Sequence, residues 1–251
     1  VGVTPQINER YSSTPNYIHA LDSKKRWINN PATLRYHFIN PLVKKPFANI
    51  SALHSVNEFT SAHKLSFRKA LNEWSEVANI KFIESNIDYQ IEAFSWISAD
   101  SSRGSCSREF ILPSYFDILS YLTPYKFQNQ TSIIIQNEHG PNTHSIILHE
   151  IGHALGLGHG NEPKYGKPYV LPKKECTRDY SIMHSSFDEN FPTGTINPTP
   201  YDIATIQHIF APNYQTRNDD TTYHLRNFVK RYRHSGRSRS YTIWDGGGIA
   251  I

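Results

Sequence analysis

Apolar residues recur at helical spacing in several stretches of this 251-residue chain. The spacing is clearest between residues 60 and 78, where Thr60 or Ser61 is placed to cap the start. This stretch predicts a long helix that packs against the core and carries no chemistry of its own. Its apolar positions are Leu65, Phe67, Ala70, Leu71, Trp74, Val77 and Ala78.

Other stretches show the shorter period of β-strands, in which alternate side chains point to opposite faces of a sheet. A polar stretch between them, residues 99–112, is predicted as a loop. The predicted strands are Thr33–Ile39, with Leu34, Tyr36 and Phe38 on one side, Ile80–Glu84, Gln90–Ile97 and the short, β-branched Ser132–Gln136.

Two further helices are predicted in the second half of the chain. One begins near Thr143, a plausible cap, and places apolar residues on its buried side as far as Leu155. The other follows Thr199-Pro-Tyr-Asp202, which has the form of a capping box with proline at the first helical position. It ends before Pro212, which cannot continue a helix.

Composition and charge limit the class of protein. A hydrophobic content of 38%, with 13 Phe and 15 Tyr, supports a substantial core. No run approaches 18 apolar residues, so we expect no transmembrane helix, and the first residues do not have the form of a signal peptide. Residues 212–251 hold seven Lys/Arg against three Asp/Glu, which accounts for the whole net charge of +4. A catalytic cleft built for polyanions is therefore not expected.

The strongest chemical signal is the run His-Glu-Ile-Gly-His-Ala-Leu-Gly-Leu-Gly-His at residues 149–159. Helical spacing puts His149 and His153 on one face, one turn apart, where two neutral imidazoles can bind one Zn²⁺. Glu150 is offset around the helix and can reach a water at the metal. The alternative is that these are ordinary histidines of an amphipathic helix. The improbability of a chance match to all five fixed positions of the pattern H-E-x-x-H-x-x-G-x-x-H argues against it.

A third ligand requires the chain to turn back after the helix. Gly156 favours such a turn, because glycine adopts the left-handed conformation at little cost. His159 would then supply the third ligand, and three protein ligands leave a fourth position open, as in catalytic zinc sites. We predict one catalytic Zn²⁺ on His149, His153 and His159.

The two cysteines, Cys106 and Cys176, have no metal-binding spacing. A disulfide between them would suit an oxidising compartment. The alternatives are two unpaired buried thiols, or Cys106 acting as a reversible cap on the zinc.

The histidine run, followed 24 residues after His159 by the single methionine, Met183, resembles the metzincin clan of zinc endopeptidases. Within that clan the chain resembles the serralysins, which are secreted bacterial proteases. The stretches that carry this likeness are residues 149–157, 177–183, 202–208 and 216–223, together with Leu71–Ile80 and the segment from Tyr17 to Trp27.

The resemblance implies an α+β fold. The expected metzincin catalytic domain, residues 1–211, has a twisted mixed sheet, a long packing helix, an active-site helix and a C-terminal helix. Residues 212–251 would form a short basic extension that resembles a truncated entry to a β-roll. The resemblance also places Met183 beneath the zinc ligands and matches the strand at Ser132–Gln136 to the edge strand that binds an extended substrate.

The function implied is hydrolysis of peptide bonds in protein substrates. Glu150 would act as general base toward a metal-activated water and then protonate the leaving amine. We expect a secreted bacterial monomer whose partner is an extended peptide or protein, without a membrane partner.

The chain departs from the serralysin pattern at two places. The tyrosine that serralysins carry two residues after the methionine is Ser185 here, whose short hydroxyl is not expected to reach the metal. Tyr180 and His184 are weighed as substitutes, and packing and an exposed turn are favoured for them. The glycine-rich calcium-binding repeats are missing from residues 1–251, so no array of calcium sites is predicted and a calcium cofactor is not expected.

Two other functions are kept as alternatives. A catalytically decayed metzincin scaffold could act as a protein-binding module. The tail segment from Lys230 to Arg239 could bind nucleic acid through its basic residues, although a solvated basic segment is the favoured interpretation.

Overall fold

The computed structural model contains a mixed sheet with helices packed against it. It describes eight ranges of the chain, which are 15–28, 33–47, 55–97, 104–107, 126–136, 143–162, 169–184 and 197–213. Its helices are α1 (Asn16–Leu21), α2 (Ser61–Val77), α3 (Thr143–Ala154) and α4 (Pro200–Phe210). Its strands are β1 (Lys25–Trp27), β2 (Thr33–Phe38), β3 (Ser55–Asn57), β4 (Lys81–Glu84), β5 (Ile91–Ile97), β6 (Gly104–Ser107), β7 (Lys126–Gln128) and β8 (Thr131–Gln136).

The main sheet has the strand order β4-β2-β5-β8-β6. The first four of these strands are mutually parallel, and β6 runs antiparallel to β8. Strand β3 pairs antiparallel with the end of β5, and β1 and β7 form a separate parallel pair. The arrangement of a mixed sheet with a long packing helix confirms the predicted α+β fold.

The edge of the sheet differs from the prediction. Strand β8, expected to be the edge, is paired on both sides, by β5 and by β6. Residues 104–107, expected to be part of a loop, form β6, which within the described residues pairs with β8 alone. The four residues Gly-Ser-Cys-Ser have no apolar alternation, so the sequence carried no strand signal there.

Helix α2 packs its apolar face on the sheet and on α3. Trp74 is fully buried, and its indole Nε1 donates to the carbonyl of Leu148 in α3 at 3.1 Å. Phe67 lies among aromatic rings of the sheet and the preceding segment, with ring centroids 5.4 Å from Phe38 and 5.9 Å from Phe59. Leu65, predicted to belong to the same buried face, is 69% exposed.

Helix α4 packs against α1 and α2, and its start confirms the predicted cap. Asp202 accepts hydrogen bonds at Oδ2 from the backbone N–H of Thr199 at 3.0 Å and from the Thr199 hydroxyl at 2.6 Å. Tyr201 stacks on Tyr17 of α1 with ring centroids 4.3 Å apart. Helix α4 therefore joins α1 to the core.

The basic extension and the absence of a transmembrane helix are the two remaining predictions about the architecture of the chain. Residues 214–251, which hold nearly all of the predicted basic extension, lie outside the described residues, and the boundary at residue 211 stays a prediction. Within the described ranges no helix is long and apolar enough to cross a membrane.

We predict that Phe67→Ala lowers the free energy of unfolding by about 3–5 kcal/mol, because it removes a fully buried aromatic ring and leaves a cavity. Leu65→Ala, on the same helix, is the matched control and should change it by no more than about 0.5 kcal/mol, since Leu65 is exposed. Chemical denaturation of the three proteins measures both effects. Equal destabilisation by the two substitutions would contradict this assignment of the buried face.

Candidate metal centre

Helix α3 carries the first two histidines of the predicted site. His149 and His153 lie one turn apart, with ring centroids 4.6 Å apart and planes at 90°. The helix ends at Ala154, and Gly156 has a φ of 107°, a conformation that favours glycine. The chain reverses at this turn as predicted, and His159 comes back toward the helix.

The three imidazoles converge on one point. The Nε2 atom of His159 lies 3.2 Å from Nε2 of His149 and 3.0 Å from Nε2 of His153. Tetrahedral zinc with nitrogen ligands at about 2.0–2.1 Å separates those nitrogens by about 3.3 Å. The distances between the ring nitrogens therefore fit three ligands of one zinc ion.

The other nitrogen of each ring faces an oxygen acceptor. Nδ1 of His149 donates to the carbonyl of Ile182 at 2.7 Å, and Nδ1 of His153 donates to the carbonyl of Leu157 at 3.0 Å. Nδ1 of His159 lies 3.0 Å from a carboxylate oxygen of Glu162. These acceptors place the proton on Nδ1, so each Nε2 presents a lone pair to the same point. Three lone pairs at this separation suit a bound cation.

The protonation state of His149 also suits a ligand. Its ring is buried, and burial, reinforced by the nearby His159, lowers the pKa of His149 to about 3. The imidazole is therefore neutral at neutral pH, as metal ligation requires.

Glu150 occupies a different place from the ligands. Its side chain is buried on α3, next in sequence to His149. In the part of the chain that the structure describes, the group able to hold a metal consists of the three histidines without Glu150. A carboxylate beside the ligands, rather than among them, can accept a proton from a water held there.

Met183 lies directly under α3. It is fully buried, and a Cβ placed on Gly152 would lie 2.7 Å from the Met183 sulfur and 3.2 Å from a ring carbon of Trp74. Gly152 thus lets the helix that carries two ligands rest on the methionine. Met183 therefore lies against the part of α3 between His149 and His153, and its place beneath bound zinc stays a prediction.

A buried carboxylate connects α4 to the first ligand. Asp202 accepts hydrogen bonds from the backbone N–H of Ile182 at 2.9 Å and from the Ser181 hydroxyl at 2.6 Å. The carbonyl of the same Ile182 accepts the Nδ1 proton of His149. Burial raises the pKa of Asp202, while hydrogen bonds from Ser181 and Thr199 oppose that rise. Sequence reasoning identified Asp202 only as a helix cap.

Tyr180, His184 and Ser185 are the other residues that were considered as metal ligands from the sequence. Tyr180 packs on Tyr201 with ring centroids 5.2 Å apart, which supports the packing role favoured for it. His184 is half-buried and does not join the three histidines. Ser185 lies outside the described residues.

The predicted disulfide is not formed. Cys176 is a free thiol whose sulfur donates to the carbonyl of Leu171 at 3.1 Å. The backbone of Cys106 lies in β6, opposite Ile133 of β8. Burial raises the pKa of the Cys176 thiol, with a further contribution from the charge of Glu175, which keeps the thiol protonated at neutral pH.

The sequence did not predict a role at the site for several residues that support it. Trp27 and Gln128 both donate to the carbonyl of Ala154 at the end of α3, and Ser23 donates to the turn at Gly156. They are distant from the histidine run in sequence. Ser23 and Trp27 lie in the segment that resembles the serralysins, but that resemblance assigned them no contact with the site.

Comparison with known proteins agrees with this geometry. The family model described as Matrixin, of peptidase family M10, matches residues 51–211. The chain is 29% identical over 241 residues to metallopeptidase AprA of Pseudomonas marginalis, covering 88% of this chain and 49% of that protein. It is 28% identical over 239 residues to serralysin B of Dickeya chrysanthemi, covering 86% and 47%. Serralysin of Proteus mirabilis is 27% identical over 270 residues, with coverage of 95% and 53%.

The chain thus spans about half the length of the curated relatives it matches. The matched model includes the helix with two of the histidines, the turn that returns the third and the segment with Met183. With that coverage and this arrangement of side chains, the chain belongs to the matrixin family of metallopeptidases and is a serralysin-like metzincin.

Proposed function

We propose that the protein is a zinc-dependent endopeptidase that hydrolyses peptide bonds in protein substrates. The observation that carries this proposal is the convergence of the three Nε2 atoms, each with its Nδ1 hydrogen directed to an oxygen. His149, His153 and His159 would hold the zinc. The presence of Glu150 beside them speaks against the alternative of a decayed scaffold that only binds proteins.

The chain's own residues supply the proton transfers. Zinc, when bound, would lower the pKa of a water and polarise the scissile carbonyl. Glu150 accepts the proton of the attacking water and delivers it to the leaving amine. Its buried position next to His149 keeps bulk water away from the carboxylate during this exchange.

The substrate is proposed to add to the sheet at β6. An extended peptide can pair with the open side of an edge strand through backbone hydrogen bonds. In the described part of the sheet β6 is paired on one side only, by β8. This replaces Ser132–Gln136 as the proposed docking strand, because β8 has no free side.

The wider setting follows from the serralysin resemblance. We propose a secreted bacterial enzyme that works as a monomer with zinc as its cofactor, and with residues 212–251 as a separate basic extension. The absence of a tyrosine at position 185 leaves three histidines as the protein ligands.

Replacing Glu150 with Gln should abolish proton acceptance while preserving the shape of the site. We expect turnover of casein to fall by about 10²–10⁴-fold, the usual contribution of a general base. Zinc content, measured by metal analysis, should stay at the parent level. Glu76→Gln, an exposed substitution on α2, is the control and should retain the parent activity. Parent-like activity in Glu150→Gln would refute the general-base role.

Removing the third histidine should weaken metal binding. His159→Ala is expected to lose zinc on dialysis and to lose casein hydrolysis, because two ligands remain. His208→Ala, which removes an exposed histidine of α4, should keep both properties. Activity of the parent should disappear with a chelator and return when zinc is added. A His159→Ala protein that retains zinc through dialysis would contradict the proposed ligand set.

A further inference from the structure

The turn that separates the second and third histidines is held by residues far from it in sequence. The backbone N–H of Gly158 donates to the carbonyl of Leu21 at 2.7 Å. Ser23 donates twice to the carbonyl of Gly156, from its backbone N–H at 3.0 Å and from its hydroxyl at 2.6 Å. Between these contacts Asp22 and Leu157 form a short antiparallel bridge. Three successive residues of the N-terminal segment Leu21–Trp27 thus pair with three successive residues of the turn.

Trp27 of the same segment and Gln128 of β7 cap the end of the helix that carries His149 and His153. The carbonyl of Ala154, the last residue of α3, accepts hydrogen bonds from Trp27 Nε1 at 3.1 Å and from Gln128 Nε2 at 2.8 Å. The last carbonyls of a helix have no partner within the helix, so side chains that bond to them hold the direction in which the chain leaves. Both donors are buried, at 2% and 1% exposure.

Close approach of the two backbones requires glycine in the turn. A Cβ added to Gly156 would lie 2.7 Å from the carbonyl oxygen of Lys25. Because that atom belongs to the backbone of a strand, it cannot rotate away. The N-terminal segment and the turn are therefore packed as one unit.

The N-terminal segment is itself stiffened by a buried ion cluster. The fully buried carboxylate of Asp22 accepts hydrogen bonds from Lys24 Nζ at 2.8 Å and from Arg26 at 2.8 and 2.9 Å. Burial alone would raise the pKa of Asp22, but the bonds and charges of Arg26 and Lys24 hold that pKa well below its usual range. The carboxylate stays ionised and keeps the segment folded around itself.

The shape of the turn decides how the second and third histidines meet. His153 precedes Ala154 directly, and its Nδ1 donates to the carbonyl of Leu157 within the turn. His159 follows Gly158 directly, and its Nε2 lies 3.0 Å from Nε2 of His153. Any rotation of the turn would change that separation, and zinc tolerates only small departures from its preferred ligand distances.

We propose that residues Leu21–Trp27 act as a clamp that positions His159 against the two helical histidines. Ser23 and Trp27 are positioning residues within the clamp, acting through the carbonyls of Gly156 and Ala154. The proposal rests on the proposed function, because it presupposes that the three histidines bind zinc. It assigns part of the metal affinity to a segment that contributes no ligand.

The test measures zinc affinity in Ser23→Ala and Trp27→Phe by competition with a chromogenic chelator. Ser23→Ala removes a donor to the turn, and Trp27→Phe removes a donor to the end of α3, while both keep most of the side chain's bulk. Loss of groups that orient metal ligands typically weakens affinity by about 10–100-fold, and we expect weakening of at least about tenfold. Ser23→Thr, which keeps the hydroxyl, should restore the parent affinity.

A matched control separates positioning from general stability. Thr205 in α4 donates its hydroxyl to the carbonyl of Tyr201 at 2.7 Å, which is also a hydroxyl-to-carbonyl bond. Thr205→Val should destabilise the fold to a similar extent as Ser23→Ala in chemical denaturation, yet bind zinc with the parent affinity. The visible spectrum of the cobalt-substituted protein, which reports ligand geometry, should change in Ser23→Ala and not in Thr205→Val.

The outcomes distinguish the clamp from the function on which it rests. If the parent binds zinc one to one and Ser23→Ala binds it equally well with the parent cobalt spectrum, the clamp is refuted and the proposed function stands. Equal weakening by Ser23→Ala and Thr205→Val would also refute it, because stability alone would then explain the loss. A parent protein that binds no zinc overturns the proposed function itself. Should Trp27→Phe fail to fold, Ser23→Ala and Ser23→Thr decide the question.

Discussion

The structure depends on one electrostatic constraint, the convergence of three imidazole rings. Nε2 of His159 lies 3.2 Å from Nε2 of His149 and 3.0 Å from Nε2 of His153. The lone pairs of neutral rings in that arrangement repel one another. A cation between them would remove this repulsion, and otherwise the surrounding protein has to hold the rings in place. Each Nδ1 is therefore directed to an oxygen acceptor, and His149 is buried and neutral. The site is preorganised for a metal by its hydrogen bonds.

Three separate parts of the chain supply that preorganisation. Asp202 of α4 orders the backbone around Ile182, whose carbonyl orients His149. Met183 supports α3 where Gly152 leaves room for it. The N-terminal segment holds the glycine turn through Ser23 and Trp27. Each contact joins residues at least twenty positions apart, so the histidine cluster and the folded core are stabilised by the same interactions.

The periodicity of apolar residues was sufficient to predict a helix or strand where one face of that element is buried. It located α2, β2, β4, β5, β8 and α4 to within a residue or two. It misplaced Leu65, because positions two apart on a helix differ by about 200° and Leu65 cannot share the face of Phe67. It missed β6, because an edge strand of small polar residues is stabilised by backbone pairing with β8 and needs no apolar pattern.

The sequence by itself determined the local path of the chain that brings the three histidines together. The spacing of His149, His153, Gly156 and His159 requires a helix, a left-handed turn and a return, and those local rules are satisfied within eleven consecutive residues. Tertiary structure decided which strand forms the open edge, that Cys176 remains a free thiol, and that Asp202, Ser23 and Trp27 hydrogen-bond the backbone next to the histidines. The physical reason is distance along the chain. Contacts between residues far apart in sequence depend on how whole helices and strands pack, and the local spacing of residue types does not determine that packing.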